Sequence, residues 1–257
     1  MSGINFLATN YVDDSDLSIT TGSENAQFPL NNLKNDFTTK KFRSTGNDVV
    51  IVIDFKQFLP VTTMALVGDA TGNMGVSAAS VKFSLTTDFS LSTAHSINLS
   101  AEFNIGWSFI TEETARYAEV TLSGTGSYNE VGKIYLGQRI NLPNQSISID
   151  TFNYRNVDRS TVRRNLQGQK FIDVRNFLKR ITGTIKFCTK DEHETLDDLY
   201  LSHGRTKPIW LIMDEASSAM NDGAYRLSMY CYFTEAFQWT ANGGQTYSSG
   251  VRMEQVV

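Results

Sequence analysis

Two cysteines, four prolines and three histidines in 257 residues leave few starting points for several kinds of protein. Cys188 and Cys231 lie far apart, each inside an apparent strand, so they read as buried free thiols and not as a disulfide framework. No run approaches the roughly 20 apolar residues of a membrane-spanning helix, and no membrane association is expected. The first residues, Met1 to Asn5, carry neither the basic nor the apolar stretch of an export signal, so synthesis and folding in a cytoplasm are expected. Net charge is −4, so there is no overall pull toward nucleic acid or anionic lipid.

The scarcity of histidine also limits chemistry. His193 and His203 stand ten residues apart, roughly 15 Å along a helix, too far to share an ion. The run from Asp191 to Glu194 lacks the second histidine of a zinc-protease spacing. No Gly-x-Ser-x-Gly elbow is present, and neither cysteine has a histidine poised as its base. Adjacent carboxylates, Glu112 with Glu113 and Asp197 with Asp198, diverge on a strand or helix. No catalytic constellation is found, so the chain is read as not an enzyme, with no cofactor and no metal. Asp13, Asp14 and Asp16 could offer oxygen to Ca²⁺, but they lack the glycine and distal glutamate of a helix–loop–helix site. A solvated turn is the simpler reading. The glycine-rich loop from Val67 to Ala79 has no P-loop lysine and no dinucleotide spacing, and serves as a turn.

What is abundant is short β-branched and aromatic runs cut by Gly, Pro and Ser. Val49–Ile53 is near-continuous and should be buried on both faces; Tyr117–Leu122 alternates and should be half exposed. Val81, Phe83 and Leu85 alternate with Lys82 and Ser84 at a period of two, as in a strand; Phe103, Ile105, Trp107 and Phe109 share one parity, and these aromatics are expected to be buried. Phe37 and Phe42 flank a small basic cluster, Lys40, Lys41 and Arg43, and are likewise expected in the core. Residues 1–143 hold 9 basic and 14 acidic side chains, whereas 144–257 hold 14 and 13. That shift, with the connector around Pro143, predicts two domains, 1–143 and 144–257.

The second part opens with alternation from Ser146 to Asp150 and then a basic run. Ten cations between Arg155 and Lys190 meet only Asp158 and Asp173. A nucleic-acid surface, a subunit interface and a pair of solvated strands would each explain it. The interface is favoured, because net charge is negative and no nucleic-acid motif is present. Six of the ten are arginines, suited to bidentate carboxylate pairing: Arg155, Arg159, Arg163, Arg164, Arg175 and Arg180. Ile181–Phe187 then alternates as a strand. A helix over Lys190–Ser202 is predicted by Thr189 and Glu192 at capping-box spacing and by Gly204 and Pro208 beyond its end. Ile209–Met213 reads as a buried strand, Asp214–Gly223 as a loop, and Ala224–Phe233 as a strand. Phe237–Trp239 and Thr246–Met253 form a closing hairpin around Asn242-Gly243-Gly244.

Two resemblances follow. Pro29-Leu30-Asn31-Asn32-Leu33 taken as extended, Asp54-Phe55, and Arg116-Tyr117 before a strand resemble the discoidin or galactose-binding-like β-sandwich over about residues 5–138. The arginine-rich hairpin, Gly183–Phe187, the helix, Pro208-Ile209-Trp210 and the final hairpin resemble a building block of bacteriophage tails, found in distal tail, tube and baseplate proteins. Together they imply a mainly β fold, a jelly-roll-type sandwich followed by a β-rich α+β tail-type domain with one main helix. The implied function is a structural component of a phage tail or baseplate, located in the virion. It would form a homo-oligomeric ring and contact other tail or baseplate proteins. The alternative is a carbohydrate-binding, receptor-recognition module of a virion. Its glycan would sit on loops Gly68–Ala78 and Gly124–Asn129, with Tyr128 and Trp107 as candidate stacking rings.

Overall fold

In a computed structural model, which describes residues 4–68, 74–142, 153–164, 169–173, 177–213, 227–243 and 246–256, the chain is mainly β with one long helix. Two long strands, Asp48–Val67 and Ile105–Gly124, run antiparallel through the first unit. Their first and second halves have different neighbours. Asp16–Thr21 pairs with the front half of Asp48–Val67, from Val50 to Asp54, whereas Lys133–Gly137 pairs with its back half, from Thr63 to Val67. Val76–Ser84 and Ala94–Ser100 extend the sheet beyond Ile105–Gly124. One strand can serve both layers of a sandwich only if it bends. The register breaks between Asp54 and Leu59, where Lys56 takes φ 65°. The Asp54 carboxylate accepts the Lys56 amide at 2.7 Å and two guanidinium nitrogens of Arg116 at 3.1 and 3.2 Å, which pins the bulge. Pro60 sits just past this bulge, where a strand tolerates it.

Burial follows a period of two. Val49, Ile51, Ile53 and Phe55 are buried, with Ala118, Val120 and Leu122 opposite them. Val50 and Val52 are only half buried, because the outer face of this layer is open to solvent. The expectation of burial on both faces of Val49–Ile53 is therefore corrected. Tyr117, Glu119 and Thr121 are half exposed, as their alternation predicts. Leu30–Lys34 is a 3-10 turn and not extended; it drives Leu30 and Leu33 into the core. Phe42 is buried, but Phe37 is 49% exposed and belongs to the surface.

The second sheet gathers strands from both ends of the chain. Its order is Arg139–Leu142, Ile4–Leu7, Ile209–Met213, Met229–Phe233, Tyr247–Gln255, Leu178–Cys188 and Asn153–Val157, with Trp239–Ala241 on Tyr247–Gln255. Ile4–Leu7 thus pairs on one side with Ile209–Met213 and on the other with Arg139–Leu142. The expected division at residue 143 does not follow the sheets, since Ile4–Leu7 and Arg139–Leu142 both precede it. Ile209 and Leu211 face helix α1 (Lys190–His203), meeting Leu196 and Leu199. Trp210 and Ile212 face the opposite way, where with Leu7 and Tyr230 they pack on Ala65, Trp107 and Tyr135 of the sandwich. Burial on both faces explains why this strand is apolar throughout. Each large side chain buried in that layer contributes roughly 1.5–3 kcal/mol, so the two units are joined by a continuous apolar layer.

Helix α1 begins as its sequence predicts. The Thr189 hydroxyl accepts the Glu192 amide, and the Glu192 carboxylate accepts the Thr189 amide at 2.8 Å. The chain leaves the helix at Gly204, φ 54°. Residues Ser146–Asp150, Asp214–Gly223 and the turn residue Gly244 lie outside the described residues, as does the start of the strand predicted over Ala224–Phe233, from Ala224 to Arg226.

Candidate functional site

At one end of the sandwich several loops are tied into a platform. The Glu130 amide donates to the Met74 carbonyl at 2.7 Å, joining the loop after Gly124 to the segment after residue 73. The approach is so close that a Cβ on Gly75 would lie 2.7 Å from the Tyr128 carbonyl, and Gly75 has φ 70°. The Asn129 amide group reaches the Asn47 carbonyl at 2.6 Å, and the Asn129 backbone N–H reaches the Ser44 hydroxyl at 2.8 Å. Both loops named for glycan binding therefore come together here, although residues 69–73 lie outside the described residues.

Three side chains meet on this platform. A tight turn closed by the Phe28 amide on the Asn25 carbonyl sets Phe28 beside the two-residue strand Phe42–Arg43, which pairs with Glu130–Val131. The Arg43 guanidinium carbon lies 4.3 Å from the Phe28 ring centroid and 4.6 Å from that of Tyr128. Such contacts contribute about 0.5–1 kcal/mol each at a partly wet site. Beneath them the Glu130 carboxylate, itself buried, is held by Lys41 at 2.8 Å and by Arg43. Tyr128 remains 41% exposed. Beside the same turn, Ser23, Glu24, Pro29 and Asn31 help line a groove of about 480 Å³. An exposed ring, a clamped guanidinium and amide-bearing loops can stack on an apolar ring face while bonding hydroxyls. Sequence reading missed Phe28 and saw Arg43 only as part of a small basic cluster, because they meet Tyr128 through long-range pairing. Trp107 is withdrawn from this site: it is fully buried between the two units.

The basic run is divided by the structure. Thr161–Arg164 and Lys170–Asp173 form a separate two-stranded hairpin in which every strand residue is exposed. Val162, Phe171 and Ile172 are each more than half exposed. Arg155, Arg159, Arg163 and Arg164 are all exposed and have no ion-pair partner among the described residues. Arg155 stands directly opposite Arg180, and Arg164 opposite Lys170, cross-strand placements that cost stability unless an acid is near. Of the arginines in this run, Arg180 has one. It is half buried against Glu254 of its own chain, so it is set aside from the interface group. Arg175 lies outside the described residues.

Elsewhere polar groups are tied to each other. Asp13 pairs with Lys133 and Asp16 with Lys56, so Asp13, Asp14 and Asp16 do not share one ion site. Burial holds the Asp13 carboxyl above the usual range, with Lys133 opposing. The same lysine lines a cleft of about 460 Å³ between the units, with Asp36, His203 and Tyr230. Burial lowers the His203 pKa, and its Nδ1 lies 2.9 Å from the Ser202 hydroxyl. His193 stacks on Tyr247 at 4.5 Å and pairs with Asp197 at 3.3 Å. The histidines thus serve separate contacts. Both cysteines are free and buried, and burial pushes the Cys188 thiol up to about 12.

No protein-family model matches the chain, and no curated protein matches its sequence. Similar solved structures align with about half of it. A carbohydrate-binding module from Clostridium perfringens, in complex with GalNAc-β-1,3-galactose, is 6% identical, with 51% of this chain and 100% of that one covered and a TM-score of 0.43. The lectin domain of lectinolysin, complexed with Lewis B antigen, is 12% identical over 51% of this chain and 96% of that one, TM-score 0.44. A Streptococcus pneumoniae fucose binding module is 14% identical over 51% and 95%, TM-score 0.42. None of the three is a tail or baseplate protein, and likenesses this distant carry no argument about what this chain binds.

Proposed function

We propose that the chain is a glycan-recognition protein whose sandwich presents its ligand site at the joined loop end. The observation that carries this is the Phe28–Arg43–Tyr128 cluster, with an exposed ring above a carboxylate already held by two cations. Stacking needs a flat apolar face at the surface, and hydroxyl recognition needs fixed donors and acceptors around it. Both conditions are met by loops that hydrogen bonds hold rigid, which limits the ordering cost of binding. The test is a glycan array with the full chain, followed by titration of any hit. Tyr128→Ala should weaken saturable binding at least about tenfold, the loss of one good contact. Absence of saturable binding, or binding indifferent to both Tyr128→Ala and Phe28→Ala, would overturn the reading.

A second reading is a structural subunit of a multi-copy particle, in the form expected from the sequence: a ring in a phage tail or baseplate, located in the virion. One observation favours it, the hairpin of Thr161–Arg164 and Lys170–Asp173. A two-stranded hairpin exposed on both faces is marginal by itself, and this one carries exposed apolar residues and arginines with no ion-pair partner among the described residues. Locating the chain by electron microscopy in intact particles tests it; a chain absent from particles and monomeric at all concentrations refutes it. The two readings are compatible, because they use different surfaces.

A further inference from the structure

We infer that the exposed hairpin of one copy docks on the outer face of helix α1 of a second copy of this chain. The inference rests on the multi-copy reading and adds to it the two surfaces that meet. In an antiparallel pair, residues directly opposite each other share a face. The register Val162 to Ile172 and Arg164 to Lys170 therefore makes one face of the hairpin basic at one end and apolar at the other. Val162 is 55% exposed and Ile172 53%. The other face carries Arg163 and Phe171 but also Asp173, which weakens its positive character.

A matching surface lies on α1. Leu196 and Leu199 point into the core, and the exposed residues recur on the opposite side at Asp191, Glu194, Asp198 and Leu201. Spacings of three and four put them in one stripe. Three carboxylates occupy its first part, and Leu201, 81% exposed, ends it. Among the described residues, Lys190 alone pairs with that stripe, 3.5 Å from Glu194. The order of charge then apolar residue on the helix is the order on the hairpin face. Val162 and Arg164 stand two strand steps apart, about 7 Å, so the hairpin face covers part of the roughly 15 Å that the ten steps from Asp191 to Leu201 rise. Hairpin and stripe are both exposed in the same chain, so they do not cover each other within it. A hairpin on one copy meeting a helix on the next is a head-to-tail contact, which closes into a ring or runs on as a filament.

Sedimentation of the full chain over a range of concentrations and salt tests this. Wild type should associate, more weakly as salt rises past about 0.1 M, where screening reaches roughly 10 Å. Arg164→Glu with Lys170→Glu should weaken association at least about tenfold, as should Glu194→Lys with Asp198→Lys. All four positions are exposed, and far-UV circular dichroism checks that each variant is folded. The quadruple variant, with both charges reversed, should associate again; a merely structural effect would not be repaired this way. Two results overturn the inference and are distinguishable. A wild-type monomer at every concentration removes the multi-copy reading with it. Association that survives Glu194→Lys with Asp198→Lys leaves that reading standing and removes α1 as the seat.

Discussion

Lys133 is the most confined charge among the described residues, and removing it gives a sharp test of how the first unit is held. Its side chain is 1% exposed. The ammonium lies 2.7 Å from Asp13, 3.2 Å from the Asn35 carbonyl and 3.6 Å from Asp36. Breaking a fully buried pair costs about 3–5 kcal/mol, mostly from the charge left behind. Here the two partners differ. Asp13 keeps 34% of its side chain in solvent and can be hydrated if the cation goes, whereas Lys133 cannot. Lys133→Met should therefore cost about 2–3 kcal/mol, and Asp13→Asn should also destabilise, since it leaves the buried cation with only the more distant Asp36 carboxylate and the Asn35 carbonyl. The double variant should cost less than the sum by at least about 1 kcal/mol. Urea unfolding followed by tryptophan fluorescence reads all three. The deficit should also depend on pH. Burial raises the folded pKa of Asp13, so its contribution to stability is full below the unfolded value near 3.8 and is lost as pH rises through the raised one. Without Lys133 that pKa rises further, and a protonated Asp13 has no need of a cation. The cost of Lys133→Met should shrink between pH 7 and pH 4. Additive singles, or a deficit indifferent to pH, would refute the account of a buried cation serving a half-buried acid.

Two further outcomes are expected. Thr189→Ala removes one half of the capping box and should cost about 1 kcal/mol in the same urea assay, with Glu192→Ala not adding fully to it, because each group serves the other. In the native state at pH 8, Cys188 and Cys231 should not react with a thiol reagent, since burial raises both pKa values and keeps the thiolate scarce. Prompt modification without unfolding would contradict their placement.

Features written locally in the chain were legible, and features made by distant pairing were not. Helix α1 could be read because Thr189, Glu192, Leu196, Leu199 and Gly204 lie within one short stretch and each acts on the helix itself. The alternation of Tyr117–Leu122 fixed its faces for the same reason. Ile4–Leu7 gives no such sign. Four residues cannot say which sheet they join, and their place was decided by partners about 135 and 205 residues away. Nothing local marks the bend at Asp54–Leu59, because it is the distant Arg116, paired with Asp54, that holds the chain through it. Lys133 likewise has nothing around it in the sequence to mark it as buried, since Asp13, Asn35 and Asp36 converge on it from about 100 or more residues away.

The candidate sites divide along the same line, and this bears on how each should be tested. The basic hairpin was visible as a charge run because its cations are close in sequence, and an interface of that kind can be probed by charge reversal one segment at a time. The loop-end cluster depends on Phe28, Arg43 and Tyr128 being brought together by the pairing of Phe42–Arg43 with Glu130–Val131. Its geometry is therefore a property of the closed sandwich. Changing Glu130 would disturb two cations and a strand pair at once, so loss of binding there could not be separated from loss of structure. Tyr128 touches the cluster from its exposed side and can be cut back with the platform intact. A glycan that notices Tyr128→Ala while the urea midpoint does not move is thus a reading of the surface itself, and a midpoint that moves with it would make the ring a structural part of the platform.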